Sequence, residues 1–508
     1  MARLTSIGWE LGSIIQEKSG DDGNVTGVSI LSGAPTLDTS IKRSGRASLK
    51  CDGVTGGATS QQVRLPRAGG TSGDALYTQF WIYVEAYPDA ATTCTIYQKP
   101  SQYSVRLASD GRIGLWTATG SIQIGSWSAA GAVALDTWHC IRVFQQVTTT
   151  GGADDSAELQ LDGNVIASET NVNRFTAVSG NNDFGISSAP DGAIIYYDDI
   201  IINSNAGSDE NSWPDPDEQL VFARPAYDVA VGAAWKSPQT SGDDTTDLYL
   251  SQGWPADGVA HSDVDANNLK YAYHDVASQT NLAIGLESYD DLGVPTGSDI
   301  KTITGLARIG SSSTTNTAGA ISVIENPDQV TETAFTTFDQ GVVAGTEPTG
   351  WWTVKSITQY NPTVVLTDPL EIRVGKRVNN ARVAMVAAMG VYIGYVEPAA
   401  DTTPPTPNIV VGPDVTRISD ETGKDQVTFE WESDEDFQSY QIRSVPTAGS
   451  DHTTGSLIEE NVTPASGGTA GTNYSATITD DEITAVDPGD EIKIIKVFVR
   501  DIAGNWST

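Results

Sequence analysis

The densest group of acid–base side chains in the sequence is Glu430, Glu432, Asp434, Glu435 and Asp436, in the run EWESDED. Two carboxylates at alternating strand positions point the same way, and acid–base hydrolysis of a glycosidic bond needs such a pair. This run, however, continues an apolar strand at 427–431 (VTFEW), and its later part reads as a solvated turn. The histidines are His139, His261, His274 and His452. His274-Asp275 and His261-Ser262-Asp263 supply residue types found in a serine triad. No G-x-S-x-G elbow accompanies them. His139, beside Trp138, reads as a packed or edge residue. Cysteine and histidine never fall at zinc-finger spacing. The expectation is therefore a chain with no catalytic residue, no metal ligand set and no cofactor.

Sugar recognition asks for something different, namely exposed aromatic faces with hydrogen-bonding side chains beside them. Tyr97, Tyr103, Trp116 and Trp127 lie in one stretch that would form one face of a sheet, and they are the expected ligand-binding residues. Gln98, Lys99, Asn171 and Asn173 could add polar contacts. The competing reading places these aromatics in the core.

The elements that must hold these residues read as strands. Short stretches rich in Val, Ile, Thr, Tyr and Trp recur at 77–84, 157–161, 164–169, 194–202, 427–431 and 491–500, separated by Gly, Asp, Asn, Pro and Ser. Asp162-Gly163 between two of them is a strong hairpin signal. No stretch of a dozen residues carries helical periodicity with caps. The longest nearly apolar run, 383–396, is interrupted by glycine and too short for a membrane helix, so it reads as a buried strand. The fold class is all-β.

Composition excludes further classes. The chain has 508 residues with 29 Lys and Arg against 65 Asp and Glu, a net charge of −36. Such a surface repels phosphate backbones and anionic membranes, so neither nucleic-acid binding nor membrane insertion is expected. Residues 1–20 lack a basic start followed by an apolar core, so no secretory signal is read there. Cys51, Cys94 and Cys140 cannot form a disulfide framework, which suits folding in a reducing cytoplasm. Residues 204–217 (SNAGSDENSWPDPD) read as an exposed linker, and 397–407 (EPAADTTPPTP) as a stiff spacer. The expected domains are 1–204, 217–397 and 401–508. Two loose stretches, 310–320 and 464–473, read as long hairpin loops within domains.

The first of these resembles the concanavalin A-like, laminin-G-like jelly roll. Its landmarks come in order: Trp9-Glu10 in an edge strand, Ser44-Gly45-Arg46-Ala47-Ser48-Leu49, Phe80-Trp81-Ile82-Tyr83-Val84, Thr137-Trp138-His139-Cys140-Ile141-Arg142-Val143, Leu161-Asp162-Gly163, and Tyr197-Asp198-Asp199-Ile200. Trp81 and Trp138 are expected to fill the space between two sheets. The resemblance implies a calcium site as an option, with Asp154, Asp155, Asp198 and Asp199 available as oxygen donors.

Residues 217–397 resemble the β domain that follows such jelly rolls in structural proteins of tailed bacteriophages. The resemblance rests on Phe222-Ala223-Arg224-Pro225, the loop Trp254-Pro255-Ala256-Asp257-Gly258, and Gly350-Trp351-Trp352-Thr353. Residues 401–508 resemble a fibronectin type III or immunoglobulin-like sandwich. The landmarks there are Pro404-Pro405, Phe429-Glu430-Trp431, Tyr440-Gln441-Ile442-Arg443 and the closing Val499-Arg500-Asp501-Ile502-Ala503-Gly504-Asn505-Trp506.

Together the resemblances imply a non-enzymatic virion structural protein, a tail, tail-tip or fibre component, made in the host cytoplasm and displayed on the particle surface. Its implied partners are other virion proteins, further copies of itself in a homo-oligomer, and host cell-surface carbohydrate. The alternatives are a head decoration protein, a polysaccharide depolymerase on the same fold, and a bacterial surface adhesin.

Overall fold

The computed structural model describes residues 3–9, 18–19, 26–53, 60–66, 75–89, 93–100, 102–117, 122–146, 155–170, 181–187, 192–205, 211–231, 235–236, 272–274, 281–311, 318–325, 333–341, 353–376, 384–398, 404–411, 426–447, 449–461, 467–486 and 494–507. The protein is all-β, with one short helix, Asp480–Val486, among the described residues. It divides into two compact units, Met1–Pro398 and Ala399–Thr508. That division falls inside the proline-rich stretch 397–407, and none falls at 204–217. The first unit nevertheless holds two separate apolar cores.

Two antiparallel sheets enclose the first core. One runs Asn164–Thr170, Ser156–Leu161, Trp138–Gln146, Ala75–Ala86, Ile194–Ser204, Ser48–Asp52, Thr36–Asp38, with Arg3–Ile7 also paired to Ile194–Ser204. The other runs Gln123–Ile124, Ile113–Thr117, Tyr103–Ala108, Thr93–Lys99, Asn181–Ser187, Gln61–Pro66, Ser29–Ser32. Phe80 of the eight-stranded sheet meets Tyr97 and Phe184 of the seven-stranded one at ring-centroid distances of 5.3 and 5.2 Å. At the expected hairpin, Asp162 (φ 48°) and Gly163 (φ 77°) are both left-handed, as a type I′ turn requires.

Trp81 and Trp138 do not fill the space between the sheets. Along Ala75–Ala86 the alternation sends Phe80, Ile82 and Val84 inward, and Tyr77, Trp81 and Tyr83 to the outer face. Trp138 pairs in register with Tyr83 and shares that face. The indole inside the core belongs to Trp9, fully buried just beyond the first strand.

The described end of the 204–217 stretch, residues 211–217, is not the exposed linker expected. Trp213 packs on Tyr77 and Phe144 at 5.3 and 6.3 Å, and the Arg142 guanidinium lies 4.6 Å from its ring centroid. The backbone carbonyls of Ser212, Pro214 and Asp215 accept hydrogen bonds from Asn203, Arg142 and Gln79. One aromatic residue, Trp213, holds the neighbouring polar residues 212–215 against the sheet.

The second core lies between two further antiparallel sheets. The strands Trp235–Lys236, Ala272–His274, Ala384–Val396, Asp299–Ser311 and Thr353–Tyr360, with Gln219–Ala223 on Ala384–Val396, form one. Pro225–Val231, Asn281–Leu286, Leu370–Lys376, Ala318–Glu325 and Thr333–Gly341 form the other. The apolar run near 383–396 is thus a central strand. The 310–320 stretch joins strands of different sheets and is not a hairpin loop. The same correction applies to 464–473.

In the unit Ala399–Thr508, the strands Pro407–Val411, Gln426–Ser433 and Tyr474–Thr479 pack on Ser456–Glu460, Phe437–Val445 and Ile494–Asp501. Trp431 is fully buried, with Phe437, Tyr440 and Tyr474 at 5.4, 5.0 and 5.2 Å. The helix Asp480–Val486 starts with a capping box. The Glu482 carboxylate accepts from the Thr479 N–H at 2.8 Å, and the Thr479 hydroxyl accepts from the Glu482 N–H at 3.3 Å.

Candidate functional site

The outer face of the seven-stranded sheet carries a row of polar and aromatic side chains. Strand alternation in Tyr103–Ala108 sends Tyr103, Val105 and Leu107 inward, and Ser104 and Arg106 outward. In Ile113–Thr117 it turns Ile113 and Leu115 inward, and Gly114 and Trp116 outward. Directly paired residues on adjacent strands share a face. Arg64 pairs with Asp183, Asp183 with Gln98, Gln98 with Ser104, Ser104 with Trp116, and Trp116 with Gln123. At roughly 4.8 Å per strand, the row crosses about 24 Å of sheet.

Trp116 and Trp127, expected as ligand contacts, come together here with ring centroids 5.9 Å apart, edge to face. Trp127 lies flat over Gly114, where a Cβ would stand 2.9 Å from Cε3 of the indole, so the missing side chain is what admits the ring. The Arg106 guanidinium sits 4.7 Å from the Trp116 centroid, and that of Arg112 sits 5.6 Å from Trp127. Arg64 grips Asp183 with two hydrogen bonds of 2.7 and 2.8 Å, a pairing that raises the arginine's proton affinity. Arg106 has no carboxylate partner of this kind, and burial lowers its proton affinity.

Several buried polar atoms on this face have no hydrogen-bond partner among the described residues: Ser104 Oγ, Trp116 Nε1, Gln123 Nε2, Gln62 Nε2 and Arg106 Nε. All five can donate. Buried donors normally find acceptors, and leaving one unmet costs about 1–3 kcal/mol. Those atoms lie beneath the surface; what the face offers outward is the partly exposed Trp116 and Trp127 with the Arg106 and Arg112 guanidiniums beside them.

Tyr97 and Tyr103 stand elsewhere. Both are fully buried between the sheets, their hydroxyls 3.4 Å apart, with Tyr97 donating to Asn182 Oδ1 at 2.8 Å. Burial pushes the Tyr97 phenol up to about 12 and raises Tyr103 well above its ordinary value. Neither ring offers a face to a ligand. Lys99 is buried too, its Nζ 3.2 Å from Asn182 Oδ1, whereas Gln98 lies in the outer row. Asn171, Asn173, Asp154, the 254–258 loop and residues 350–352 lie outside the described residues.

His261, Ser262, Asp263, Asp275 and the side chain of His274 lie outside the described residues, and several of the other candidate groups are engaged in structure. His139 Nε2 accepts from the Ala134 N–H at 2.9 Å, so Nδ1 carries the proton shared with Asp162 Oδ2 at 2.7 Å. His452 stacks on Trp506 at 4.7 Å. Asp434 and Asp436 accept from the backbone N–H groups of Thr406 and Ala470, fastening turns. Asp198 accepts from the Arg43 N–H, and Asp199 binds the Arg43 side chain, the Ser44 hydroxyl and the Leu220 N–H. Among the described residues, no three His, Cys, Asp or Glu side chains gather as a metal site.

The sequence matches no protein-family profile and no curated protein. Solved structures are similar to it only weakly. The endo-β-1,4-glucuronan lyase of the fungus Trichoderma reesei is 14% identical, over 36% of this chain and 93% of that one, with a TM-score of 0.27. Alginate lyase vAL-1 from Chlorella virus is 13% identical over 36% and 93%, with a TM-score of 0.28. The binding domain of botulinum neurotoxin DC, solved in complex with SialylT, is 10% identical over 76% and 98%, with a TM-score of 0.31. At these identities and scores, the similarity does not carry those proteins' functions to this chain.

Proposed function

We propose that this chain is a non-enzymatic adhesion and structural protein that binds a host-surface glycan on the outer face of its seven-stranded sheet. The observation that carries this is the partly exposed Trp116–Trp127 pair, 5.9 Å apart, with the guanidiniums of Arg106 and Arg112 beside the rings. A sugar ring suits that face, since its C–H face stacks on an indole and its hydroxyl oxygens accept from guanidinium N–H groups. Catalysis would ask for a free acid–base pair. In this row the one carboxylate, Asp183, is gripped by Arg64, and His139 is occupied by Ala134 and Asp162.

We infer, on the sequence resemblances alone, display on a tailed-phage particle, in its tail or fibre, where many copies would turn weak contacts into avidity. A homo-oligomer serves that display. In affinity electrophoresis through gels containing candidate host polysaccharides, the full chain is expected to be retarded by at least one. Trp116→Ala and Trp127→Ala should each weaken retardation about tenfold, about 1.4 kcal/mol. No retardation in any gel, or retardation unchanged by both substitutions, overturns the glycan reading. Immunolabelling of purified phage particles tests the virion placement, and particles without label overturn it.

A further inference from the structure

On the outer face of the eight-stranded sheet, aromatic rings are topped by cations from the chain itself. Arg43 lies 3.8 Å from the Trp81 centroid, Arg142 lies 4.6 Å from that of Trp213, and Lys50 Nζ lies 5.3 Å from that of Tyr196. At the far end of this face, Trp138, Tyr83, Tyr196 and Lys50 stand in direct register on four adjacent strands. Ring centroids are 5.6 Å apart for Trp138 and Tyr83, and 5.8 Å for Tyr83 and Tyr196.

Trp138 and Tyr83 are only half-buried, and among the described residues no cation tops either ring. Exposed carboxylates border them. The Tyr83 hydroxyl donates to Asp136 Oδ1 at 3.2 Å, and that of Tyr196 donates to Glu85 Oε2 at 2.6 Å. Burial first, then the bond to Asp136, raises the Tyr83 phenol, which keeps it a donor. An electron-rich ring face with carboxylates at its rim attracts a desolvated ammonium, and the surrounding charge of −36 draws cations toward it.

We propose that Trp138 and Tyr83, with Asp136 and Glu85, form a second ligand site, which takes the protonated amine of a de-N-acetylated amino sugar. The sugar's C–H face stacks on Trp138 while its ammonium lies between the ring faces and the two carboxylates. The site is on the opposite sheet from the glycan face proposed above and stands or falls separately.

The test is calorimetry of the full chain with glucosamine oligomers, set against their N-acetylated counterparts and tetralysine, at about 0.15 M salt, where surface charge is screened beyond ~8 Å. Trp138→Ala, which leaves net charge unchanged, and Asp136→Asn, which suits the left-handed backbone there (φ 57°), are the variants. Binding of the free-amine oligomer alone, weakened about tenfold by each variant and untouched by Trp116→Ala, is expected. Equal binding of the acetylated oligomer, tetralysine binding as tightly as the amino sugar, binding unaffected by Trp138→Ala and Asp136→Asn, or no binding at all overturns the proposal.

Discussion

Arg3 and Glu218 form a buried ion pair across 215 positions of sequence, with Nη1 on Oε1 and Nη2 on Oε2, each at 2.9 Å. Around it, Arg43 binds Asp199 and donates to the carbonyls of Asp217 and Glu218, and Arg46 pairs with Glu287. These contacts run from the first sandwich into the opening of the second. They account for one compact unit containing two apolar cores. Burial pushes the Asp199 carboxyl up, while Arg43, Ser44 and the Leu220 N–H pull it back.

Removing one partner of that pair leaves the other charge buried and unmet. Glu218→Ala is expected to lower unfolding free energy of the first unit by about 3–5 kcal/mol, whereas Arg3→Met with Glu218→Leu should be close to neutral. Urea unfolding of the single and double variants measures both. Additive losses in the double variant would show that the pair does not act as a unit.

Trp213→Ala should destabilise the first unit by about 2 kcal/mol, less than a fully buried tryptophan because its ring is half-exposed. The same variant should speed protease cleavage within 204–217, since Trp213 pins that segment to Tyr77 and Phe144. An unchanged cleavage rate would contradict the anchoring role.

The three cysteines are buried and unpaired, and burial pushes Cys94 and Cys140 up to about 12 and Cys51 higher still. At about pH 8.5, where an ordinary thiol is half ionised, they should stay neutral thiols. A disulfide-exchange reagent is expected to titrate none of them in the native chain and all three in denaturant.

Asp451 accepts from the Thr453 N–H and from the Thr453 and Thr454 hydroxyls, which together hold its carboxyl down at about 2. A carboxyl with a folded value below its unfolded one, roughly 3.9, stabilises fully above that unfolded value. Its contribution is lost as pH falls through about 2. Carboxyl NMR titration should place the Asp451 midpoint near 2, and Thr453→Val should move it upward.

Much of the strand content was legible because alternation and turn chemistry are local signals. The Asp162-Gly163 hairpin and the apolar strand Ala384–Val396 follow from them directly. Facing was harder to read. In Ala75–Ala86 both alternating sets are apolar, Phe80, Ile82 and Val84 against Tyr77, Trp81 and Tyr83, so no polarity contrast says which set faces the core. Tyr97 was obscured by a bulge. Val105 pairs with Tyr97 but Arg106 with Thr95, so Ile96 is the extra residue, and both Ile96 and Tyr97 turn inward. Tyr103 could have been placed from its own strand, where Tyr, Val and Leu alternate with Ser and Arg. The Thr479-Asp480-Asp481-Glu482 capping box likewise marked the short helix. Pairs such as Arg3–Glu218, and the cross-strand row from Arg64 to Gln123, depend on contacts between distant segments and leave no local trace.

The indole of Trp116 is the most direct reporter of the proposed adhesion face, because its ring is partly exposed there beside Trp127. Its N–H NMR signal, assigned by loss in Trp116→Phe, should shift when a retained host glycan is added, as the sugar stacks on the ring. Saturating glycan that leaves this signal unmoved while perturbing other tryptophans would put the sugar elsewhere and contradict the assignment.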